Sequence, residues 1–126
     1  MLPSGTRRET AAQLEECIHV NSLGPHLLTQ LMIPTLSRSQ PARVVTVSST
    51  MYVYGVKVWD KVKDHDFQIP ATESYSSFGA YGVSKLLNVL DAIEFNRQFK
   101  QSGLDILTFS LHPGGCVKLP GIARVR

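Results

Sequence analysis

The chain has 126 residues, of which 43% are hydrophobic and 18% charged. That balance belongs to globular material, one domain or part of one, and excludes a disordered tail. The net charge of +3 comes from scattered lysines and arginines with no interleaved aromatics, so it reads as solubility and gives no nucleic-acid footprint.

Two cysteines, Cys17 and Cys116, lie far apart without metal-ligand spacing. They fit a reducing compartment, with the cytoplasm as the default expectation. No apolar run approaches the roughly 18 residues of a membrane span, and there is no secretory apolar core at the N-terminus.

Taken in order, Met1 to Gly5 read as a loose terminus. Thr6 with Glu9, and Thr10 with Gln13, have capping-box spacing. A helical pattern then runs through Leu14, Cys17, Ile18, Leu28, Leu31 and Met32 towards Leu36, with Pro34 marking its approaching end. Gly24-Pro25 interrupts it. Pro25 follows Asn21 by four residues and has no N–H, so the Asn21 carbonyl loses its usual helical partner. A plain kink is one outcome; a carbonyl that holds a water or ligand is the other.

Arg43-Val44-Val45-Thr46-Val47 is a short β-branched run, apolar as a buried parallel strand is. It ends in Ser48-Ser49-Thr50, at the strand end where open α/β sheets place ligands, although serines also serve ordinary turns. Residues 51–77 read as one long loop on the substrate side. Tyr52, Tyr54, Trp59 and Phe67 either line an apolar pocket there or pack the loop down.

Ser76 or Ser77 caps the next helix, whose apolar face is Val83, Leu86, Leu87, Leu90, Ile93 and Phe99, and which Gly103 terminates. Leu104 to Leu111 form a second strand that ends in the sharp turn His112-Pro113-Gly114-Gly115. Strand, helix, strand with a short second link predicts a parallel pair. Ser49, the start of the helix and His112-Pro113-Gly114 then gather at one sheet edge.

On that helix Tyr81 and Lys85 stand four apart, hence on one face. A free phenol, with a pKa of about 10, is a weak acid-base catalyst at neutral pH. A neighbouring ammonium favours the phenolate and moves it towards the working range. Chance also yields such pairs, so the partners carry the weight.

Together, His19-Val20-Asn21-Ser22-Leu23-Gly24, Arg43 to Ser49, Tyr81-Gly82-Val83-Ser84-Lys85 and His112-Pro113-Gly114 resemble the short-chain dehydrogenase/reductase family. The resemblance runs from about Thr10 to about Pro120. Leu86-Leu87-Asn88-Val89-Leu90 and His112 look most like its retinol-dehydrogenase-like and WW-domain-oxidoreductase-like branch. It implies an α/β fold, a doubly wound parallel sheet of Rossmann type, present over residues 1–126 as the catalytic half without the N-terminal nucleotide-binding half.

It implies Tyr81 as the acid-base group and Lys85 as its electrostatic partner and holder of the nicotinamide ribose. Ser49 would bond the substrate oxygen, and Asn21 would hold a water through its main-chain carbonyl. Pro113 and Gly114 would lie against the nicotinamide of NADP or NAD. The substrate class implied is a small hydrophobic alcohol or carbonyl. Partners would be homo- or heterodimeric subunits joined through the two long helices.

Three departures accompany the resemblance. Only Gly5 precedes Asn21, so no glycine-rich phosphate loop stands there. Lys118 and Leu119 occupy the region where the family often has a nicotinamide-contacting threonine. The chain also stops soon after Pro120. Activity of the chain by itself is therefore not expected, and a non-enzymatic homologue that pairs with full-length subunits is the alternative.

Overall fold

A computed structural model describes residues 6–63 and 75–114. Expectations that fall on Met1 to Gly5, Phe67, Gly115, Cys116, Lys118 and Leu119 lie outside the described residues.

The first helix starts later than the capping-box spacing suggests. Glu15 is its N-cap, with its side chain accepting the Ile18 N–H at 2.8 Å. Neither Thr6 nor Thr10 caps it. Thr10 instead bonds the His19 ring at 2.7 Å, and Gln13 turns the chain at φ 59°.

Helix α1 (Glu16–Ile18) runs into a π turn, His19–Leu23, and on into α2 (Gly24–Arg38). The π turn is the physical answer to Pro25. Gly24 donates to the His19 carbonyl, five residues back, and the extra residue lets the helix pass the proline without breaking. Pro34 marks the approaching end of α2, as expected. It sits inside the helix, which continues to Arg38, and Ser37 Oγ donates back to the Ile33 carbonyl in that last turn.

Strands β1 (Ala42–Val47) and β2 (Ile106–Leu111) pair in parallel, with Val45 beside Phe109 and Val47 beside Leu111. Ala42 N–H donates to Asp105 and Ser48 N–H to Leu111. Even-numbered residues of β1 therefore present their amides to β2, and odd-numbered ones present theirs to the opposite edge. One face of this sheet is packed by Ile106 and Thr108; the other leaves Val45, Val47, Leu107, Phe109 and Leu111 roughly half exposed.

The reading of 51–77 as a loop needs correction over its first part. Tyr52–Val62 form helix α3. The run Tyr52-Val53-Tyr54 has strand propensity and Gly55 is a poor helix former. Tertiary contact overrides both: Gly55 lies directly on the Gly82 carbonyl of the next helix, closer than any side chain would permit.

That helix is α4 (Ser77–Gln101), capped by Ser76 Oγ on the Gly79 N–H at 3.1 Å. It closes on Gly103, at φ +68°, with Leu104 N–H to the Phe99 carbonyl and Gly103 N–H to the Lys100 carbonyl. These paired bonds and the left-handed glycine satisfy the last carbonyls of the helix.

Val83, Leu86, Phe95 and Phe99 of α4 are buried, whereas Leu90 and Ile93, expected on the same face, point to solvent. Two small cores result. One gathers Cys17, Ile18, Val62, Ala80 and Val83 between α1, α3 and α4. The other gathers Phe95, Phe99 and Ile106 under α2 and β1.

In an ordinary helix interior Gly→Ala stabilises, by about 1 kcal/mol. At Gly82 a Cβ would stand 2.6 Å from Gly55 N and 2.8 Å from the Met51 carbonyl, both backbone atoms. Gly82→Ala is therefore expected to lower the unfolding free energy by about 1–3 kcal/mol in urea denaturation. A stabilised variant would contradict the close approach of α3 and α4.

Candidate active site

Helix α4 carries Tyr81, Ser84, Lys85 and Asn88 at i, i+3, i+4 and i+7, a polar stripe along one face. Ser84, Lys85 and Asn88 are buried, and Tyr81 is partly so. The stripe faces the carboxyl end of β1.

Lys85 is the most tightly held of the group. Its Nζ donates to the Val47 carbonyl at 2.9 Å and lies 5.5 Å from the centroid of the Tyr81 ring. Burial pushes the ammonium below the ordinary lysine value, with Cys17 pulling weakly the other way. Asn88 Nδ2 donates to the same Val47 carbonyl at 3.3 Å. Ser48 Oγ donates to the Lys85 carbonyl at 2.7 Å, so strand end and helix are stitched in both directions.

The π turn delivers Asn21 to this cluster. Asn21 Nδ2 donates to Ser84 Oγ at 3.2 Å, and Ser84 Oγ donates to the Tyr81 carbonyl at 2.7 Å. Asn21, Tyr81 and Lys85 are thus joined through one turn of α4. Ser49 stands at the end of β1, its hydroxyl accepting the Met51 N–H at 3.2 Å. Among the described residues no hydrogen bond joins Ser49 to Tyr81. Ser49 and His112 line one small cavity of 90 Å³ with Ser48, Tyr52 and Ser110, so the two strand ends do converge. Pro113 and Gly114 follow, exposed, with Gly114 at φ +92°.

Sequence reasoning missed three participants. Ser84 and Asn88 belong to the polar stripe, and helical spacing from Tyr81 could have found them. Glu15 had no such signal. It is 2% exposed, and beyond capping α1 it accepts the Tyr75 hydroxyl on Oε1 at 2.9 Å. One carboxylate thereby ties the start of α1 to the residue before the cap of α4. Cys17, beside it, is buried with its thiol pushed up by burial and by Glu15, which leaves it inert. Of the aromatics expected around a pocket, Trp59 lines a groove of 400 Å³ with Val56, Asp60, Leu86 and Leu90. No group of three metal-ligating side chains occurs among the described residues, nor is any of their helices long and apolar enough to cross a membrane.

No protein-family model matches the chain. It is 38% identical over 106 residues to a WW domain-containing oxidoreductase of Gallus gallus, covering 82% of this chain and 25% of that protein. It is 40% identical over 106 residues to retinol dehydrogenase 12 of Homo sapiens, covering 84% of this chain and 31% of that protein. To dehydrogenase/reductase SDR family member 13 of Bos taurus it is 38% identical over 97 residues, 77% of this chain and 24% of that protein. The chain spans a quarter to a third of the length of these relatives. A solved structure of an uncharacterised protein from Mycobacterium paratuberculosis superposes with a TM-score of 0.75 at 30% identity, covering 92% of this chain and 39% of that one.

Burial and the Glu15 carboxylate push the Tyr75 phenol well above its ordinary value. A pKa raised by folding means the hydrogen bond contributes fully below the unfolded phenol value of about 10, and that contribution is lost as pH climbs beyond it. Tyr75→Phe is expected to cost about 1 kcal/mol near neutral pH. The gap between the two proteins should narrow as denaturation is followed into strong alkali. A gap that stays constant with pH would contradict the Glu15–Tyr75 bond.

Proposed function

Starting from a chain whose sequence places it with the short-chain dehydrogenase/reductases, we propose that it carries the proton-transfer half of an NAD(P)-dependent oxidoreductase site for a hydrophobic alcohol or carbonyl. The observation that carries this reading is Lys85, buried against the Val47 carbonyl and 5.5 Å from the ring of Tyr81.

The residues present fit the ribose end of a nicotinamide cofactor. An ammonium has three donors and Val47 takes one, which leaves two for hydroxyls. They do not extend to the pyrophosphate, because the sequence before Asn21 has no glycine-rich turn. Lys85 would hold the ribose, and Pro113 and Gly114 would lie against the nicotinamide. When bound, the cofactor would supply the hydride chemistry.

The chain's own residues would then manage the proton. Tyr81 would give a proton to, or take one from, the substrate oxygen. Lys85 would set positive charge beside the phenol. Ser49 would exchange its turn contact with Met51 for the substrate oxygen and stabilise charge that develops there. Asn21 is fixed by Ser84, and its carbonyl, with two lone pairs, would hold a water towards Lys85. The names of the retinol dehydrogenases support a hydrophobic substrate.

A second reading, a non-enzymatic partner of full-length subunits, is favoured by Leu27, Leu28 and Leu31 of α2 and Ile93 of α4, all about 60% exposed or more.

The test is a chimera: human retinol dehydrogenase 12 with its matching segment replaced by this chain, assayed with retinol and each nicotinamide cofactor. Turnover is expected, and Tyr81→Phe should lower it by about 10²–10⁴-fold with cofactor binding retained. Turnover that survives the substitution would contradict the role of Tyr81. A chimera that binds cofactor but is inert, together with co-elution of this chain and the full-length relative, would favour the second reading.

A further inference from the structure

Asn88 stands on α4 one turn beyond Lys85, as Tyr81 stands one turn before it. It is 2% exposed. Its Nδ2 reaches the Val47 carbonyl at 3.3 Å, the same oxygen that Lys85 Nζ holds at 2.9 Å. Two donors thus divide one acceptor, which has two lone pairs to offer. Side chains on a helix lean towards its N-terminus, so Lys85 leans towards Tyr81 and Asn88 leans in behind it. With Asn88 behind, Nζ is left the lone pair on the side of Tyr81, whose ring centroid is 5.5 Å away.

A plain tie between helix and strand does not account for Asn88. That junction is already made by Lys85 Nζ, and by Ser48 Oγ on the Lys85 carbonyl at 2.7 Å. Bulk does not account for it either. Asn88 Oδ1 is buried without a hydrogen-bond partner, a cost that a leucine of similar size would not carry. What the amide adds is electrostatic. Its N–H groups set partial positive charge beside the ammonium, and they take up part of the oxygen that would otherwise stabilise it. Other charges near Lys85 are few. Cys17 acts on it from α1, and Tyr81 faces it on its own helix. Its neighbours from the π turn, α2 and β1 are Asn21, Thr29 and Val47, none of which titrates.

We infer that Asn88 is a positioning residue for Lys85: by taking a share of the Val47 carbonyl, it keeps the ammonium on the Tyr81 side of that oxygen and only partly committed to it. Lys85 then has donors to turn on the hydroxyls of a ribose. The ribose belongs to the function proposed above; the placement of Nζ does not depend on it.

The test follows the Lys85 ε-carbon through an alkaline NMR titration of the intact chain, together with NOEs from its ε-protons to the Tyr81 ring. The variants are Asn88→Ala and Asn88→Asp, neither of which enlarges the side chain, and the amide of the fully buried Val83 reports that each is folded. Alanine leaves the whole Val47 carbonyl to Lys85, so its titration should move up from that of the parent. Aspartate keeps the size of asparagine but offers no donor, and its carboxylate accepts from Nζ directly. The titration should move up further, and the NOEs to Tyr81 should be lost as Nζ is drawn along the helix. A titration and NOEs that neither substitution changes would make Asn88 an ordinary tie and overturn the inference. In the chimera, Asn88→Asp is expected to weaken binding of the nicotinamide cofactor by about tenfold or more, the loss of one charge-assisted bond. Unimpaired binding there would overturn it too. The NMR readings use neither cofactor nor substrate, so a failure of this inference is distinguishable from a failure of the turnover test of the proposed function.

Discussion

A single ammonium against a single carbonyl sets the geometry of this chain. Lys85 is drawn out of water and onto the Val47 carbonyl at 2.9 Å. Taking a charge out of solvent is unfavourable unless it is well bonded, so the surroundings have to be arranged around it. They are. Asn88 shares the same acceptor, and Ser48 returns a bond from the strand end to the Lys85 carbonyl. These polar ties run in both directions between α4 and the carboxyl end of β1, and they hold the face of α4 that bears Tyr81 beside the ends of both strands.

The glycine contact between α3 and α4 supports this arrangement from the other side. Gly55 and Gly82 bring two backbones together, and Gly82 directly follows Tyr81. Side-chain bulk at either position would force the two backbones apart. Glu15 adds a third constraint by linking α1 to the residue that precedes the α4 cap. Helix α4 is therefore positioned at its start, at its second turn and against the strand, whereas the opposite face of the sheet is left bare. In a parallel sheet both faces are normally covered. Here Val45, Val47, Leu107, Phe109 and Leu111 stay roughly half exposed on that face.

Much of this is legible in the sequence. Strand β1 follows from its β-branched run, and α4 from its serine cap, apolar period and terminal glycine. The pairing of Tyr81 with Lys85 follows from helical spacing; Asn21 comes close through its side chain on Ser84, a contact that the expectation for its main-chain carbonyl does not contain. What escapes depends on contacts distant in sequence. Tyr52 to Trp59 looks like strand or loop because the residue that makes it a helix partner, Gly82, lies outside any local window. Glu15 reads as one more surface acid until Tyr75 and the Ile18 amide are seen to enclose it. Pro25 announces a disturbance but not its form, since a kink and a π turn have the same local composition. The roles of Ser49, Pro113 and Gly114 rest on the family resemblance, because their contacts here are those of ordinary turns.

The claim on which the account depends is that Lys85 is held out of water at the strand end, next to Tyr81. A ¹³C NMR titration of the lysine ε-carbons in the intact chain, with Lys85 assigned by substitution, tests it most directly. Lys85 is expected to lose its proton below the ordinary lysine value of about 10.4, because burial disfavours the charged form. A Lys85 signal that titrates at the ordinary value would place the ammonium in solvent and contradict the arrangement.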